Sequence, residues 1–485
     1  MKLRELIEGL PYLLDTRGDL DTPVSAITAN SRERTADALF FCIHGARFDA
    51  HDYAAQAVSN GCTALVVERW VDVPVPQILV SSGRGAMSRI AAAFYGHPAD
   101  RMKLVGITGT KGKTTTSYML KSIVEQAGIR CGLIGTTGNM IGDKRLEGNL
   151  TTPDPIELQS TLRLMADAGV KIVSMEVSAH AIDMLRLDGL TFEVGCYTNL
   201  SQDHLDYFHT MEHYFETKRR FFTSGMVRNG AFNADEETTE RILDGLQIPH
   251  ITYGICVNAD LFARDIEISE NGVSFTTRLQ GMHDSRINLQ MTGMFNVYNA
   301  LAAASCAMIL GIGVEDIRKG LERIASVPGR VEMLQTGTPY KVILDYSHSP
   351  DALQNILETV RVFTRGRVIA LFGCGGDRDQ GKRPMMGEIG GRLADLCVLT
   401  SDNPRSEDPM DILKAIEDGI RPTGKPYVVI ENRREAIRYA LGIAKDGDVI
   451  VLAGKGHETY QEIKGIKHPF DEKAVVAELL HEMEG

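Results

Sequence analysis

The sequence has 485 residues, enough for about three domains of ordinary size. Its hydrophobic fraction of 43% is typical of globular proteins, and its net charge of −12 without a basic block argues against nucleic acid as the main partner. Eight scattered cysteines without a CxxC pair favour reduced, buried thiols in a cytoplasmic protein over disulfides or a zinc site. The first residues carry charges where a signal peptide needs an apolar core, and the uncharged segment 287–314 predicts a buried helix instead of a membrane span.

Residues 1–100 alternate short apolar runs with helical patterns, which predicts a small α/β domain. Ser31 and the stretch His44-Gly45-Ala46 lie near the ends of predicted strands, where binding loops commonly occur. Exposed serine and histidine side chains on loops are also commonly just solvated. The pattern therefore leaves both interpretations open.

The most informative stretch is 103–116, KLVGITGTKGKTTT, which predicts a buried strand, a turn with glycines and then a helix. Such a turn presents several backbone N–H groups to one anion, and the helix N-terminus, Lys113 and the Thr114 hydroxyl add partial charge, a cation and a magnesium ligand. The full Walker pattern needs a glycine where Ile107 stands, so this is the shorter form that begins at Gly109. We expect an ATP site here; a glycine-rich turn with a chance GKT is the alternative.

Two further regions repeat strand and helix patterns. Residues 101–330 predict a mostly parallel sheet covered by helices, and 260–292 switch to the period-two alternation of an antiparallel addition. Residues 331–485 predict a doubly wound, dinucleotide-fold-like unit with its chemistry at the carboxyl ends of the strands. Three polar clusters at or just past those ends indicate a shared cleft: 345–348, 402–405 and 455–458. The predicted fold class is α/β, with domains at 1–100, 101–330 and 331–485.

Two residues of the middle region have the chemistry of a metal site, and a third, a lysine, is not singled out by its pattern. Glu176 ends a predicted strand beside the phosphate loop, where a nucleotide site needs a further magnesium ligand; a carboxylate that caps the next turn is the alternative. His204 follows another strand with two aspartates nearby, so both metal ligation and a structural role fit the pattern. Lys218 lies on a predicted helix at 211–222, and composition alone indicates a solvated lysine.

Motifs in a fixed order along the whole chain resemble those of the Mur ligases, ATP-dependent enzymes that form amide bonds in cell-wall precursor synthesis. The motifs are GTKGKTT at 109–115, EVSAH at 176–180, TNLSQDHLD at 198–206, YFETK at 214–218, FNVYN at 295–299, PGR at 328–330 and DYSHSPDAL at 345–353. Those that resemble the members adding meso-diaminopimelate are GCGGDRDQGKRP at 373–384, DNPR at 402–405 and GKGHE at 454–458. Leu150, Ala179 and Met184 depart from residues that relatives use at these positions.

The resemblance implies the following site residues. ATP is expected to contact Gly109, Thr110, Lys111, Gly112, Lys113, Thr114, Thr115, Asn296, Arg330 and Asp345. A uridine nucleotide substrate is expected to contact Ser31, His44, Gly45, Ala46, Thr151, Thr152, Ser178 and Arg186. The diaminopimelate site is expected to consist of Arg383, Asp402, Asn403, Pro404, Arg405, Gly454 and Glu458. The catalytic residues would be Lys113, Glu176, His204 and Lys218, and magnesium would be held by Thr114, Glu176, His204 and a carbamylated Lys218.

The implied reaction transfers the γ-phosphoryl group of ATP to the D-glutamyl carboxylate of UDP-N-acetylmuramoyl-L-alanyl-D-glutamate, after which the amine of meso-diaminopimelate attacks the acyl phosphate. Arg405 and Arg383 would select diaminopimelate over lysine by gripping its extra carboxylate; a surface ion pair is the alternative for Arg405. Other functions stay open: ligases of the family that add L-lysine or D-alanyl-D-alanine, a folylpolyglutamate-type synthetase, and a regulatory ATPase. We expect a cytoplasmic monomer that uses Mg²⁺ and small-molecule substrates, without a nucleic-acid partner.

Overall fold

The computed structural model describes residues 1–45, 48–146, 148, 150–255, 259–279 and 284–484. Over these residues the chain forms three α/β domains, each built on its own sheet, so the predicted fold class is confirmed. No helix among these residues has both the length and the apolar character needed to cross a membrane.

The first domain has a five-stranded sheet in the order β1-β5-β4-β3-β2, in which only β1 is antiparallel to its neighbour. Its strands are β1 (Leu13–Arg17), β2 (Ala26–Thr28), β3 (Ala38–Phe41), β4 (Cys62–Val67) and β5 (Gln77–Val80). Its helices are α1 (Leu3–Leu6), α2 (Ala54–Ser59) and α3 (Gly83–Phe94), with 3₁₀ turns at Ala50–Tyr53 and Pro98–Arg101. The apolar side chains of α1 and α3 bury one face of the sheet, as the helical spacing predicts.

The middle domain has an eleven-stranded sheet. Its strands are β6 (Lys103–Thr108), β7 (Cys131–Ile134), β8 (Asn139–Ile141), β9 (Lys144–Leu146), β10 (Ile172–Glu176), β11 (Phe192–Tyr197), β12 (Val227–Asn233), β13 (His250–Gly254), β14 (Leu261–Ser269), β15 (Gly272–Leu279) and β16 (Ser285–Leu289). They lie in the order β16-β15-β14-β13-β12-β11-β6-β10-β7-β8-β9. The centre is parallel, and β14 to β16 form the predicted antiparallel addition.

Helices cover both faces of this sheet. They are α4 (Lys113–Gln126), α5 (Pro155–Asp167), α6 (Ala179–Asp183), α7 (Leu205–Phe208), α8 (Met211–Thr223), α9 (Thr239–Leu243), α10 (Met294–Ile309) and α11 (Val314–Arg323). Two separate apolar clusters, one on each face, pack against the central strands. Such double cover explains why β6 is buried in all but its first residue and β10 over its whole length. The loop after β6 thus starts from a rigid, buried strand.

The last domain has a six-stranded sheet in the order β17-β18-β22-β19-β20-β21, parallel except for β17 at one edge. Its strands are β17 (Glu332–Leu334), β18 (Lys341–Asp345), β19 (Val368–Phe372), β20 (Leu396–Leu399), β21 (Tyr427–Val429) and β22 (Val449–Ala453), and β23 (Tyr460–Ile463) pairs with β24 (Ile466–Pro469) in a separate hairpin. Its helices are α12 (Pro350–Phe363), α13 (Lys382–Leu393), α14 (Pro409–Ile420), α15 (Arg433–Ile443) and α16 (Glu472–Glu484), with a 3₁₀ turn at Arg421–Thr423.

Candidate active site

Two glycines at positive φ shape the loop that follows β6. Gly109 has a φ of 146° and Gly112 a φ of 85°. A Cβ atom on Gly109 would collide with Thr198 Oγ1, and one on Gly112 would collide with Asn299 Oδ1. Both positions therefore require glycine. The loop turns tightly between two polar side chains and begins α4 at Lys113, so the strand, loop and helix predicted from the sequence are confirmed.

Two lysine ammonium groups converge on this loop. Lys113 Nζ donates to the carbonyl oxygens of Gly109 and Thr110, both at 2.9 Å, and Lys218 Nζ donates to Gly109 O at 3.0 Å. Burial lowers the pKa of Lys113 to about 8. Burial and the neighbouring Lys113 cation lower the pKa of Lys218 well below its ordinary value. The prediction of a solvated Lys218 from composition is wrong, because the side chain is only 1% exposed.

Glu176, at the end of β10, is buried beside the same loop. Its Oε2 accepts hydrogen bonds from Thr114 Oγ1 at 3.1 Å and from Thr136 Oγ1 at 3.0 Å, and its Oε1 accepts one from Thr136 N at 2.9 Å. Arg330 Nη2 also donates to Thr114 Oγ1, at 3.2 Å. Because β10 is the parallel neighbour of β6, its carboxyl end brings this carboxylate to the start of α4. The carboxylate bonds to groups of the loop region and does not cap the turn that follows it in sequence.

A cleft of about 720 Å³ lies between the middle and last domains. The middle domain lines it with Thr110 to Thr115, Glu176, Ser178 and His204, and the last domain lines it with Asp345 to His348. Arg330, between the two domains, lines it as well. Asn296 does not line the cleft itself but contacts Asn299, which does. Asn296 Oδ1 accepts a hydrogen bond from Asn299 Nδ2 at 3.0 Å. The structure thus assembles nearly all the residues predicted for ATP around one space.

Magnesium fits the oxygen donors of this cleft. The Thr114 hydroxyl and the Glu176 carboxylate are hard ligands that already lie 3.1 Å apart, and His204 lines the same space. Lys218 is not among the residues that line the cleft, and it contacts the loop through the Gly109 carbonyl. Over the described part of the chain, no group of three or more His, Cys, Asp or Glu side chains could hold a metal by itself. A magnesium ion here would therefore complete its shell with phosphate oxygens and water, as this ion commonly does.

Of the residues predicted for diaminopimelate, all but Arg383 follow the carboxyl ends of β20 and β22, and Arg383 lies on α13. Gly454 N donates to Asp345 O at 3.0 Å, because β18 and β22 are adjacent strands. This contact connects the residues predicted for the amino acid with those predicted for ATP. Asn403 Nδ2 donates to Glu458 Oε2 at 2.9 Å, which connects the DNPR and GKGHE motifs. Pro404 O packs against Gly376, at the glycine-rich turn after β19.

The two arginines of this region have carboxylate partners. Arg405 Nε donates to Glu462 Oε2 at 3.2 Å and its Nη1 to Gly376 O at 2.7 Å. Arg383 Nη2 donates to both carboxylate oxygens of Glu407, at 2.8 and 2.9 Å, and the residue is 4% exposed. Arg405 thus keeps donor capacity beside the Asn403–Glu458 contact. Arg383 pairs with Glu407 through Nη2, and its buried Nε has no hydrogen-bond partner.

The residues predicted for the uridine nucleotide fall into two groups. Ser31 donates to Gln56 Oε1 at 3.3 Å, and the His44 ring lies 3.6 Å from Asp49 with Gly45 beside it; the structure leaves all three in the first domain, away from the cleft. Ala46 lies outside the described residues. The second group does reach the cleft region.

In that group, Arg186 Nη1 donates to Thr152 O at 2.8 Å, and Thr152 Oγ1 donates to Glu176 O at 2.8 Å. Ser178 N donates to Thr152 Oγ1 at 3.0 Å. Thr151 Oγ1 lies 3.0 Å from Thr136 Oγ1. These residues thus form one hydrogen-bonded network that extends from the surface to Glu176.

Comparisons with known proteins give three matches along the chain. Residues 23–95 match the Mur ligase family, catalytic domain; 107–307 match the Mur ligase middle domain; and 329–456 match the Mur ligase, glutamate ligase domain. UDP-N-acetylmuramoyl-L-alanyl-D-glutamate–2,6-diaminopimelate ligase of Caldanaerobacter subterraneus subsp. tengcongensis is 44% identical over 100% of both chains. Ligase 1 of the same name from Clostridium acetobutylicum is 42% identical, also over 100% of both. A solved structure of such a ligase is 30% identical, with a TM-score of 0.70 over 100% of this chain and 99% of the other.

The chain belongs to the Mur ligase family. This Mur ligase also places three residues in its cleft region that the sequence reasoning missed as site residues. Thr136 holds Glu176, Asn199 Oδ1 accepts from Lys111 N at 2.8 Å, and Asn299 borders Gly112. Asn199 belongs to the TNLSQDHLD motif and Asn299 to the FNVYN motif. Thr136 follows β7, the strand that pairs with β10. Thr136 and Asn199 each stand two residues past a strand, and Asn299 lies in the second turn of α10; these positions were the available signal.

Proposed function

We propose that this chain is an ATP-dependent ligase that joins meso-diaminopimelate to the D-glutamyl carboxylate of UDP-N-acetylmuramoyl-L-alanyl-D-glutamate. The observation that carries the proposal is the contact of Gly454 with Asp345, because it brings the GKGHE motif to the edge of the cleft lined by the phosphate loop. The full-length similarity to ligases of that name supports the choice of substrates. The domains 1–100, 101–330 and 331–485 would bind the uridine nucleotide, ATP and the amino acid, respectively.

The first step makes the D-glutamyl carboxylate reactive. A carboxylate is a poor electrophile, and phosphoryl transfer from ATP converts it to an acyl phosphate with a good leaving group. Two anions must meet for this transfer, so the cations of Lys113 and Arg330 and the N-terminus of α4 would offset their repulsion. Magnesium, held by Thr114, Glu176 and His204, would neutralise phosphate charge when bound.

Lys218 would become a carbamate by reaction of its amine with carbon dioxide, with release of one proton. Only the neutral amine reacts, and the burial that lowers the pKa of Lys218 favours that form. The modification replaces an ammonium by an anion, which suits a residue that contacts a loop expected to lie near a bound cation. It would also end the repulsion between Lys218 and Lys113.

The second step is attack by the amine of the amino acid on the acyl phosphate. The amino acid would lie between the DNPR and GKGHE motifs, with its distal carboxylate on Arg405 and its distal ammonium on Glu458. L-Lysine lacks that carboxylate, so a bound lysine would leave the Arg405 donors that Glu462 and Gly376 do not use without an acceptor. Arg405 therefore both favours diaminopimelate and disfavours lysine.

The test is product formation by the purified chain. With ATP, Mg²⁺, the uridine nucleotide dipeptide and meso-diaminopimelate, we expect mass spectrometry to detect the tripeptide product together with one ADP per product. Omitting any one substrate should abolish ADP release.

Two other outcomes would reject the proposal. ADP release that needs no amino acid would indicate a regulatory ATPase. A product with L-lysine formed as fast as that with meso-diaminopimelate would indicate the lysine-adding ligase.

A further inference from the structure

Lys455 is a buried cation that the proposed mechanism does not use. It follows Gly454 at the end of β22, and its side chain is 0% exposed. Its Nζ lies 2.9 Å from Asn403 Oδ1, 3.3 Å from Glu458 Oε2 and 3.4 Å from Asp402 Oδ1. A lysine is rarely buried to this extent unless it is paired. Here one ammonium connects three side chains of the two motifs.

We propose that Lys455 is a positioning residue of the amino-acid site: it holds Asp402, Asn403 and Glu458 together so that they bind one further cation, the distal ammonium of the incoming diamino acid. The inference deepens the proposed function and rests on it.

The charges of the cluster support this role. Asp402 and Glu458 carry two negative charges, and Lys455 supplies one positive charge. Arg433, whose charge also acts on Asp402, is itself paired with Glu472, so the cluster still lacks one cation. Burial and the Asp402 charge raise the pKa of Glu458, as expected for a carboxylate whose negative charge is not fully compensated by its neighbours. The adjacent Arg405 is already balanced by Glu462. The unbalanced charge therefore lies on the side of the site where an ammonium would bind.

The hydrogen bonds indicate how Lys455 fixes the geometry. Asn403 Oδ1 accepts from Lys455 Nζ and from Glu462 N, the latter at 2.9 Å, so the amide plane is set. With this plane set, Asn403 Nδ2 points to Glu458 Oε2 at 2.9 Å. Without the ammonium, Asp402 and Glu458 would repel each other and the Asn403 amide would lose one of its two donors. Lys455 thus fixes the position of the Glu458 carboxylate, which would bind the distal ammonium of the substrate.

Lys455→Met removes the charge and keeps the length of the side chain. We expect the KM for meso-diaminopimelate to rise by at least about tenfold, while the KM for ATP and for the uridine nucleotide stays within twofold of the unmodified chain. Lys467→Met is the matched control. Its Nζ lies 4.3 Å from the centre of the Tyr460 ring, against 5.8 Å for Lys455, but the residue is exposed, so we expect no change.

A pH profile separates positioning from a general structural effect. The groups that face Glu458 are Asp402, Lys455, Asn403, Tyr346 and Tyr460. Without Lys455, the repulsion from Asp402 shifts protonation of Glu458 to higher pH, and a protonated carboxyl does not bind an ammonium. In Lys455→Met the KM for meso-diaminopimelate should therefore fall as the pH rises from 6 to 8. In the unmodified chain the fall should be smaller, because the Lys455 charge lowers the pKa of Glu458.

The double variant Lys455→Met/Glu458→Gln covers the case in which the single variant fails to fold. It removes one charge of each sign, so we expect it to fold, with a high KM for meso-diaminopimelate that does not depend on pH. The inference is wrong if either variant uses meso-diaminopimelate with an unchanged KM, or if the KM for ATP rises equally. If the unmodified chain itself forms no product with meso-diaminopimelate, the proposed function fails instead.

Discussion

Lys113→Met is the substitution whose effect the structure defines most fully. Two hydrogen bonds from Nζ to Gly109 O and Thr110 O would be lost, at about 1.5–3 kcal/mol each for a charged donor. Against this, the pKa of about 8 corresponds to a burial cost of about 3 kcal/mol, which methionine does not have. The two effects offset each other, so we expect the free energy of unfolding to change by less than about 3 kcal/mol.

Catalysis should respond much more strongly than stability. A cation aimed at the transferring phosphoryl group is expected to lower the barrier by about 3–4 kcal/mol, so the kcat of ADP formation should fall about 10²–10³-fold. The assay is steady-state ADP release with all three substrates saturating, beside thermal unfolding of the same samples. Lys121→Met on the same helix is the control, since Lys121 pairs with Glu125 at 2.8 Å. A kcat of Lys113→Met within threefold of the unmodified chain, at equal stability, would mean that the Lys113 cation does not stabilise the transferring phosphoryl group.

Three further predictions concern the same cleft. The kcat/KM for ATP should fall as the pH rises through about 8, because Lys113 loses its charge in the free enzyme near that pH. Thr136→Val should lower kcat about tenfold, because Glu176 loses one hydrogen bond worth about 1–1.5 kcal/mol. Arg405→Met should raise the KM for meso-diaminopimelate about 100-fold, because charged hydrogen bonds contribute about 1.5–3 kcal/mol each, and should leave the KM for ATP unchanged.

Each of these predictions has a contradicting result. A kcat/KM for ATP that stays flat from pH 7 to pH 9.5 would remove Lys113 from nucleotide binding. Thr136→Val with full kcat would mean that the backbone N–H of Thr136 holds Glu176 sufficiently. Arg405→Met with an unchanged KM for meso-diaminopimelate would leave Arg405 with its Glu462 ion pair only.

The phosphate loop could be predicted from the sequence because its cause is local. A buried strand, glycines at positive φ and a helix start lie within a dozen residues, and the structure has each of them. The antiparallel strands β14 to β16 followed from period-two alternation in the same way. The Mur ligase resemblance, which rested on motif order, is confirmed by the family matches.

Lys218 is a case in which a signal existed but composition concealed it. Tyr214, Lys218 and Phe221 are spaced by four and three residues, so all three fall on one face of α8. That face is the buried one, with Tyr214 2% and Phe221 0% exposed. Helical spacing therefore predicts a buried lysine, whereas the average behaviour of lysine predicts a solvated one.

The partners of the two arginines could not be predicted from the sequence. Arg405 meets Glu462 across 57 residues, and Arg383 meets Glu407 across 24, through pairings that depend on the assembled sheet and hairpin. The DNPR and KRP motifs indicated only that a guanidinium was present. The fold shows which donors each arginine has already used: Arg405 uses Nε and Nη1, and Arg383 uses Nη2 on Glu407 while its buried Nε has no hydrogen-bond partner.

In the proposed reaction, this cleft couples ATP cleavage to the addition of a diamino acid that carries a second carboxylate. The most direct measurement is the ratio of kcat/KM for meso-diaminopimelate to kcat/KM for L-lysine, from ADP release in the presence of the uridine nucleotide dipeptide. We predict a ratio of at least about 10³, since a site built for a charged group strongly rejects an analogue that lacks it. A ratio near one would mean that the site does not recognise the second carboxylate of diaminopimelate.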